Sequence, residues 1–527
     1  MISTRIKPNL YKDSVALMRI AEKLLADPAI KRATLVMATP ANKDILKEAG
    51  LLNTQADGAA PSDLIIVIEC ADEAVANAAF DVIDSSLAGG SQAGGGKAEE
   101  VVPRSLNMAL GMAASTHLAA EAAAQSASPS TQLSAANLVQ ISVPGAYAGA
   151  EALKAVKAGL NVFLFSDNVP LEQERAIKQL ALRKGVLVMG PDCGTAIISG
   201  VPLGFANVVR RGDIGLIGAS GTGLQEVTAQ IHLMGAGVSQ AIGTGGRDVK
   251  AEIGGITMLM ALDLLAADPA TRVIGIISKP PAPAVMSEVI ARAGRAGKPV
   301  VTVFLGGAPV TAPLNVHQTT TLYDCAAHCV ALAQGQVAVP GKDLKPLVGG
   351  PPSPIPTKGS GRYVRGLFSG GTFCTEAQVA LRDAGIDCWS NVPLDKKRAL
   401  PDLQRSREHT LLDLGDDEFT VGKPHPMIDP STRVARIAQE SADPDTAVLL
   451  LDIVLGYAGH MDPAGALSQA IMQAKAKREL PVVAFVCGTE EDPQIRSKQE
   501  TALKAAGCLV ASSSTQAAAW AASLVTA

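Results

Sequence analysis

Two short runs carry the residue types that hold an oxyanion. Gly218-Ala219-Ser220-Gly221-Thr222-Gly223 follows the apolar run IGLIG, and Ser369-Gly370-Gly371-Thr372 follows YVRGLF. Each leads into a stretch that predicts a helix, with Leu224, Val227, Ile231 and Met234 on one face after the first and FCTEAQVAL after the second. The first turn of a helix leaves N–H groups without intrahelical acceptors, and its dipole adds partial positive charge, so a phosphate is favoured there. Glycine lets the backbone come close, and serine and threonine hydroxyls add donors. Ser220, Gly221, Thr222 and Gly223 are therefore candidate phosphate ligands, as are Ser369, Gly370, Gly371 and Thr372. Gly245 and Gly246, in the run GTGGRD that ends the next strand, would line the same crevice. Plain helix caps with tight turns use the same residue types, but two copies at matching places weigh against that alternative. The first elbow reads G-x-x-G-x-G, not G-x-G-x-x-G, and no G-x-x-x-x-G-K-[ST] loop occurs, which argues against a nicotinamide site or a P-loop.

A second group sits at an acidic strand end. Leu414-Gly415-Asp416-Asp417-Glu418 is followed by Thr420-Val421-Gly422-Lys423-Pro424-His425-Pro426-Met427. In α/β sheets the carboxyl ends of strands ring the ligand crevice. Asp416 and Asp417 could hold Mg²⁺ or accept protons, and Lys423 or His425 could meet a carboxylate or phosphate, which makes these four the candidate catalytic residues. A solvated acidic turn beside a proline-stiffened loop is the competing account. His460 and Asp462 in YAGHMDP could face the same crevice. Cys325, His328 and Cys329 stand on adjacent helix turns, but no second ligand pair accompanies them, which speaks against a metal centre.

The elements that must position these residues are short β-branched runs alternating with alanine-rich helical stretches. ATLVMA (33–38), DLIIVIE (63–69), LVQISV (138–143), NVFLFS (161–166) and GVLVMG (185–190) read as strands buried on both faces, as in parallel sheets with crossover helices. The blocks from 213 and from 363 repeat one order: strand, elbow, helix, a strand ending in glycine, and two further strands. That is the mark of an internal duplication into flavodoxin-like sheets, with the charged stretch 389–409 as a surface loop of the second copy. Segment 88–103 reads as a Gly-rich loop, 119–132 as a frayed helix and loop, and 336–361 has the Pro/Gly density of a linker. A chain of 527 residues supplies about three domains.

Composition removes other classes. A net charge of −4 and 3% aromatic residues give neither the basic surface nor the stacking platform of a nucleic-acid binder. No uncharged apolar run reaches the length of a membrane span, and MISTRIKPNLYKDS lacks the apolar centre of a signal peptide. Eight scattered cysteines look like free thiols of a reducing, cytoplasmic setting.

The stretches ISVPGAYAGAEALKAVKAGLNVFLFSDNVPLEQE, VMGPDCGTAI, IGLIGASGTGLQE, AIGTGGRD and LLDLGDD with GKPHPMIDP resemble the FdrA family of acyl-CoA synthetases over nearly the whole chain. That family is similar to the α subunit of succinyl-CoA synthetase followed by a domain like the carboxyl-terminal part of its β subunit. The resemblance implies a Rossmann-like CoA-binding domain at 1–208, flavodoxin-like synthetase domains at 209–336 and 362–527, and a linker at 337–361. It implies CoA contacts at Lys12 and Ser14, beside Asp13. It also implies two elbow-headed helices that face each other around the phosphate of a phosphohistidine. The synthetase motif for that histidine is missing: Leu305 to Thr320 reads LGGAPVTAPLNVHQTT, with His317 alone and no glycine context. No ATP-grasp half is present either. The resemblance thus implies a small-molecule enzyme acting with partner subunits or as an oligomer, with CoA and a phosphate or acyl phosphate as ligands. Family members are also linked to oxamate carbamoyltransferase in allantoin (purine) catabolism, where carbamoyl phosphate would suit the same two helices without a phosphohistidine. A non-catalytic scaffold subunit is a third expectation.

Overall fold

The computed structural model describes residues 1–8, 10, 14–25, 27, 29–88, 106, 108, 136–336, 361–420 and 423–526. Two units divide it, Met1–Pro129 and Ser130–Ala527. The linker, apart from Gly361, lies outside the described residues, as do nearly all of 88–103 and all of 119–132.

In the first unit β1 (Ile2–Lys7) and β2 (Ile30–Met37) flank β3 (Leu64–Cys70). Ile66 and Ile68 face Leu17, Leu24, Phe80 and Ile83, whereas Ile65 and Val67 face Leu46, Leu51 and Ala56. The central strand β3 is buried on both faces, as its unbroken apolar run requires, whereas the edge strand β1 is only partly buried. Strand direction differs from expectation, since both neighbours run antiparallel to β3. A continuous apolar run encodes burial on two faces and carries no information about strand direction. Helices Pro40–Glu48 and Thr54–Asp57 lie between β2 and β3 in the chain, and the Pro40–Glu48 helix buries Leu46 against the sheet.

The second unit starts with a three-stranded parallel sheet of β4 (Leu138–Ile141), β5 (Asn161–Leu164) and β6 (Val188–Met189). An antiparallel hairpin follows, β7 (Thr195–Ile198) and β8 (Val201–Gly204). It joins the next sheet, where Ile197 pairs with Ala241. The expected single domain at 1–208 is therefore divided. Residues 1–88 form a sheet of their own, and the hairpin belongs to the sheet of the first repeat because it extends that sheet's edge.

The first repeat contains β9 (Arg211–Gly218), β10 (Val238–Gly243), β11 (Val273–Ser278), β12 (Val300–Phe304) and β13 (Val316–Thr319). The second contains β14 (Tyr363–Phe368), β15 (Thr410–Asp413), β16 (Thr446–Val454), β17 (Val482–Cys487) and β18 (Leu509–Ala511). Counted within each copy, both sheets have the order 2-1-3-4-5 and are parallel throughout. This is the flavodoxin-like winding, and it confirms the duplication. The copies share one core: Leu224, Val227 and Ile231 from one elbow helix pack in the same cluster as Phe373, Ala377 and Leu381 from the other. Among the described residues no helix is long and apolar enough to cross a membrane.

Candidate active site between two helix N-termini

The two elbows meet head to head. Ser220 caps the helix Gly221–Leu233, its hydroxyl accepting the Gly223 amide at 2.9 Å. That hydroxyl also makes a short hydrogen bond with the Thr372 hydroxyl, in the first turn of the helix Gly371–Asp383. The Gly370 backbone also lies against the Thr222 side chain, since a Cβ on Gly370 would lie 2.6 Å from Thr222 Cγ2 and 2.8 Å from its Oγ1. Glycine is required at Gly370 by this approach. The helix dipoles thus point at one small region, as the family resemblance implies. An anion reached by both helices must lie beside the Ser220–Thr372 contact or displace it.

The elbows differ in what already occupies them. The amides of Ser369 and Gly370 and the Ser369 hydroxyl all donate to the carboxylate of Asp452, at 3.0–3.1 Å. Asp452 is fully buried and paired with Arg433 at 2.8 Å. Ser369 and Gly370 are therefore spent on an internal carboxylate, not held open for a ligand. Gly223 is likewise committed to its own cap. Gly221, Thr222, Gly371 and Thr372 keep first-turn amides, which have no intrahelical acceptor. Gly245 packs its backbone against Pro191 at φ +79°, a conformation that favours glycine, whereas Gly246 faces open space beside Ala219.

Besides Asp452, the carboxylate at the second elbow is Asp413, not Asp416 or Asp417. A Cβ on Gly371 would collide with Asp413 Oδ2, while Oδ1 accepts the Gly415 amide at 3.0 Å. Burial, and then the neighbouring charge of Asp416, push Asp413 up to about 7 against an opposing pull from Lys279. Asp416 accepts the Glu418 amide at 3.3 Å and heads the short helix Asp417–Thr420. Asp417 is largely exposed, and its pKa is raised by partial burial and by Asp167 and Asp416.

His425 does lie at the second elbow. A Cβ on Gly415 would meet His425 Nε2 at 2.6 Å and the Ser369 carbonyl at 2.7 Å. The ring packs on Phe205 with centroids 5.5 Å apart, and Nδ1 accepts the Met427 amide at 3.2 Å. Burial, and then the charge of Arg433, lower its pKa to about 4, so the imidazole is neutral at pH 7 with its proton on Nε2. Lys423 is exposed, and Gly422 lies outside the described residues. His460 and Asp462 have local structural partners: His460 Nδ1 accepts the Asp462 amide, and Asp462 caps the helix Pro463–Lys477. His317 stands on edge strand β13, paired with Val301, and partial burial lowers its pKa. Lys12 lies outside the described residues, as does the side chain of Ser14.

Reading the sequence missed three residues. Asp452 is the one charge inside the apolar run AVLLLDIVLG, and a charge in a buried strand must find a partner. Asp413 closes the buried run TLLD in the same way. Lys279 follows VIGIIS at a strand end in the first copy and acts electrostatically on Asp413 and Cys374 of the second. Among the described residues no three His, Cys, Asp or Glu side chains are grouped so as to hold a metal ion.

The two repeats that carry the elbow helices are the parts of the chain that match CoA-ligase and CoA-binding families. Residues 367–524 match a family described as CoA-ligase, and 209–306 match one described as CoA binding domain. The latter match falls on the first repeat, not on 1–208. Residues 1–103 match a family described as AllF, heavy metal-associated domain. Over 521 residues the chain is 42% identical to YahF of Escherichia coli K12, described as uncharacterized, covering 97% of this chain and 96% of that one. The chain belongs to the FdrA-like acyl-CoA synthetase family, within the CoA-ligase superfamily. Partial relatives include the ADP-forming sulfoacetate-CoA ligase subunit SauD of Bilophila wadsworthia, 31% identical over 33% of this chain and 60% of the relative. The succinate–CoA ligase α subunit of Aquifex aeolicus is 29% identical over 27% of this chain and 48% of its own.

The heavy-metal description does not fit the residues present. Residues 1–103 contain one cysteine, Cys70, and no histidine. Cys70 is buried and its thiol donates to the Asp72 carbonyl at 3.3 Å. A soft metal needs several sulfur or imidazole ligands together, and this segment does not supply them.

Proposed function

We propose that this protein is an acyl-CoA synthetase-like enzyme that holds a phosphate or the phosphoryl group of an acyl phosphate where the two elbow helices meet, and that it acts with partner subunits. The observation that carries this reading is the Ser220–Thr372 contact, which points two helix N-termini at one place. The amides of Gly221, Thr222, Gly371 and Thr372 and the Thr222 hydroxyl are its donors. Asp413, protonated up to about pH 7, can give a hydrogen bond to an anion instead of repelling it, and His425 offers a neutral imidazole at the same elbow. CoA would be the acceptor, with Mg²⁺ entering as the counter-ion of the phosphoryl group near Asp416. The test is thermal protection of the full chain by inorganic phosphate and acetyl phosphate, with Gly221→Ala and Thr222→Val as variants. Protection of the parent that is lost in both variants supports the reading, and a melting curve unmoved by either ligand sinks it.

A second reading is favoured by the position of His317 and by the match of residues 1–103 to the AllF family. In it the chain is a subunit of a carbamoyltransferase, with carbamoyl phosphate on the same helix ends and no phosphohistidine. Incubation with a phosphoryl donor followed by mass spectrometry separates the two. Acid-labile phosphate on a histidine supports the synthetase, whereas protection by carbamoyl phosphate without any labelling supports the transferase. Full activity of an assembled complex with both elbows altered would leave only a scaffold.

A further inference from the structure

The duplication permits a position-by-position comparison of the two elbows, and they are not equivalent. Ile276 stands opposite Ile217 in the first sheet, and Leu451 stands opposite Leu367 in the second. One residue further on, Ile277 and Asp452 therefore hold matching places behind their elbows. Asp452 sends a carboxylate into the backbone amides of Ser369 and Gly370. Ile277 has no such group; only its carbonyl takes part, accepting the Ala219 amide at 3.0 Å, and its Cγ2 sits 2.9 Å from where a Cβ on Gly223 would be. The second helix start is thus already served by an anion built into the fold, and the first is not.

A separate observation falls on the first helix start. Thr195, the first residue of β7, is 1% exposed, and its hydroxyl has no hydrogen-bond partner. Its Oγ1 lies 3.4 Å from the position a Cβ on Gly221 would take, so it faces the opening residue of the first elbow helix. A buried hydroxyl left without a partner costs free energy that a bound acceptor would recover. It comes from the hairpin that extends the first sheet, outside both elbow motifs.

We propose that the phosphoryl group is seated mainly on the first copy, held by the Gly221 and Thr222 amides and the hydroxyls of Thr195 and Thr222. The Ser369–Gly370 turn of the second copy supplies nothing to it, because Asp452 fills that turn. This rests on the phosphate reading above and divides that site unequally between the copies. The chemistry recognised is a tetrahedral phosphate oxyanion, free or carried by an acyl phosphate.

The experiment is calorimetric titration of the full chain with inorganic phosphate and, separately, acetyl phosphate. Thr195→Val should weaken both by about tenfold or more, the loss of one hydrogen bond to a charged acceptor. Thr195→Ser should bind as the parent does, and Ser369→Ala should stay within about twofold of it. If Thr195→Val fails to fold, Thr195→Ala against Thr195→Ser carries the same comparison. Undiminished phosphate binding by the folded hydroxyl-free variant, or a loss in Ser369→Ala as large as in Thr195→Val, overturns the unequal division while leaving the phosphate reading in place. Loss for acetyl phosphate alone would put the Thr195 hydroxyl on the acyl part and likewise overturns it. Absence of binding by the unaltered chain overturns the phosphate reading itself.

Discussion

Glu226 and Glu376 reach the same serine from opposite copies of the repeat. Ser514 donates its hydroxyl to Glu376 Oε2, while its amide donates to Glu226 Oε1 at 3.2 Å. Glu376, on the second elbow helix, also accepts the Leu322 amide at 2.9 Å. Each glutamate therefore caps the start of the last helix of the other copy, Leu322–Ala333 or Ser514–Thr526. Helix starts favour such acceptors, so the pair locks the copies together across their shared core.

That lock has a pH signature. Burial raises Glu376 to about 7, with the charge of Glu226 adding to the shift. A carboxyl with a raised folded-state pKa favours the folded state most below its unfolded value near 4.5. The advantage is lost as pH rises through about 7. Glu376→Gln should remove this slope, so its melting temperature relative to the parent should rise between pH 5 and pH 8. An unchanged difference across the range would count against the assignment.

The Ser220–Thr372 contact predicts energetic coupling between the copies. Ser220→Ala loses a helix cap, at about 1 kcal/mol, and Thr372→Val removes the hydroxyl that meets it. In urea denaturation the two substitutions should be non-additive by about 0.5 kcal/mol or more, as expected for groups in direct contact. Additive effects would mean that the elbows do not touch in solution.

Anion binding should depend on Asp413. With a pKa of about 7 it is neutral in mild acid and charged in mild base. Sulfate remains a dianion throughout this range, so its affinity should fall as pH rises through about 7 in the parent. Asp413→Asn should flatten that profile. A profile that persists in the variant would assign the titration to another group.

A buried ion network ties the segment before the repeats to the first copy. Lys178 pairs with Glu174 at 3.1 Å and Asp248 at 2.8 Å, and Arg247 pairs with Glu174 at 2.9 Å. Lys178 also donates to the Thr244 carbonyl, beside Gly245 and Gly246. Lys178→Met leaves buried carboxylates without that partner and should cost about 3–5 kcal/mol in chemical denaturation. It should also loosen the glycine turn, read as faster amide exchange at Gly245 and Gly246.

Local pattern and long-range packing divide the account of this protein cleanly. The apolar runs at 33–38, 63–69, 138–143, 161–166 and 185–190 all contain strands, and the unbroken run at 64–68 is buried on two faces, whereas Leu138–Ile141, interrupted by Gln140, is only partly buried. Both elbows and the duplication were legible too: glycine and hydroxyl residues at a strand end are a local signal, and their repetition in the same order is a second one. Strand direction in the first sheet was not legible, since antiparallel and parallel burial leave the same apolar run. Nor was the choice of carboxylate. Asp416 and Asp417 stood out as an exposed acidic pair, yet the groups that touch the second elbow are Asp413 and Asp452, each hidden inside an apolar strand. Asp452 finds its partners 82 and 83 residues away, at Gly370 and Ser369. The sequence by itself determined that two helix starts could bind an anion. Only the tertiary structure, by bringing one carboxylate to the second and leaving Thr195 facing the first, decided that the two are no longer alike.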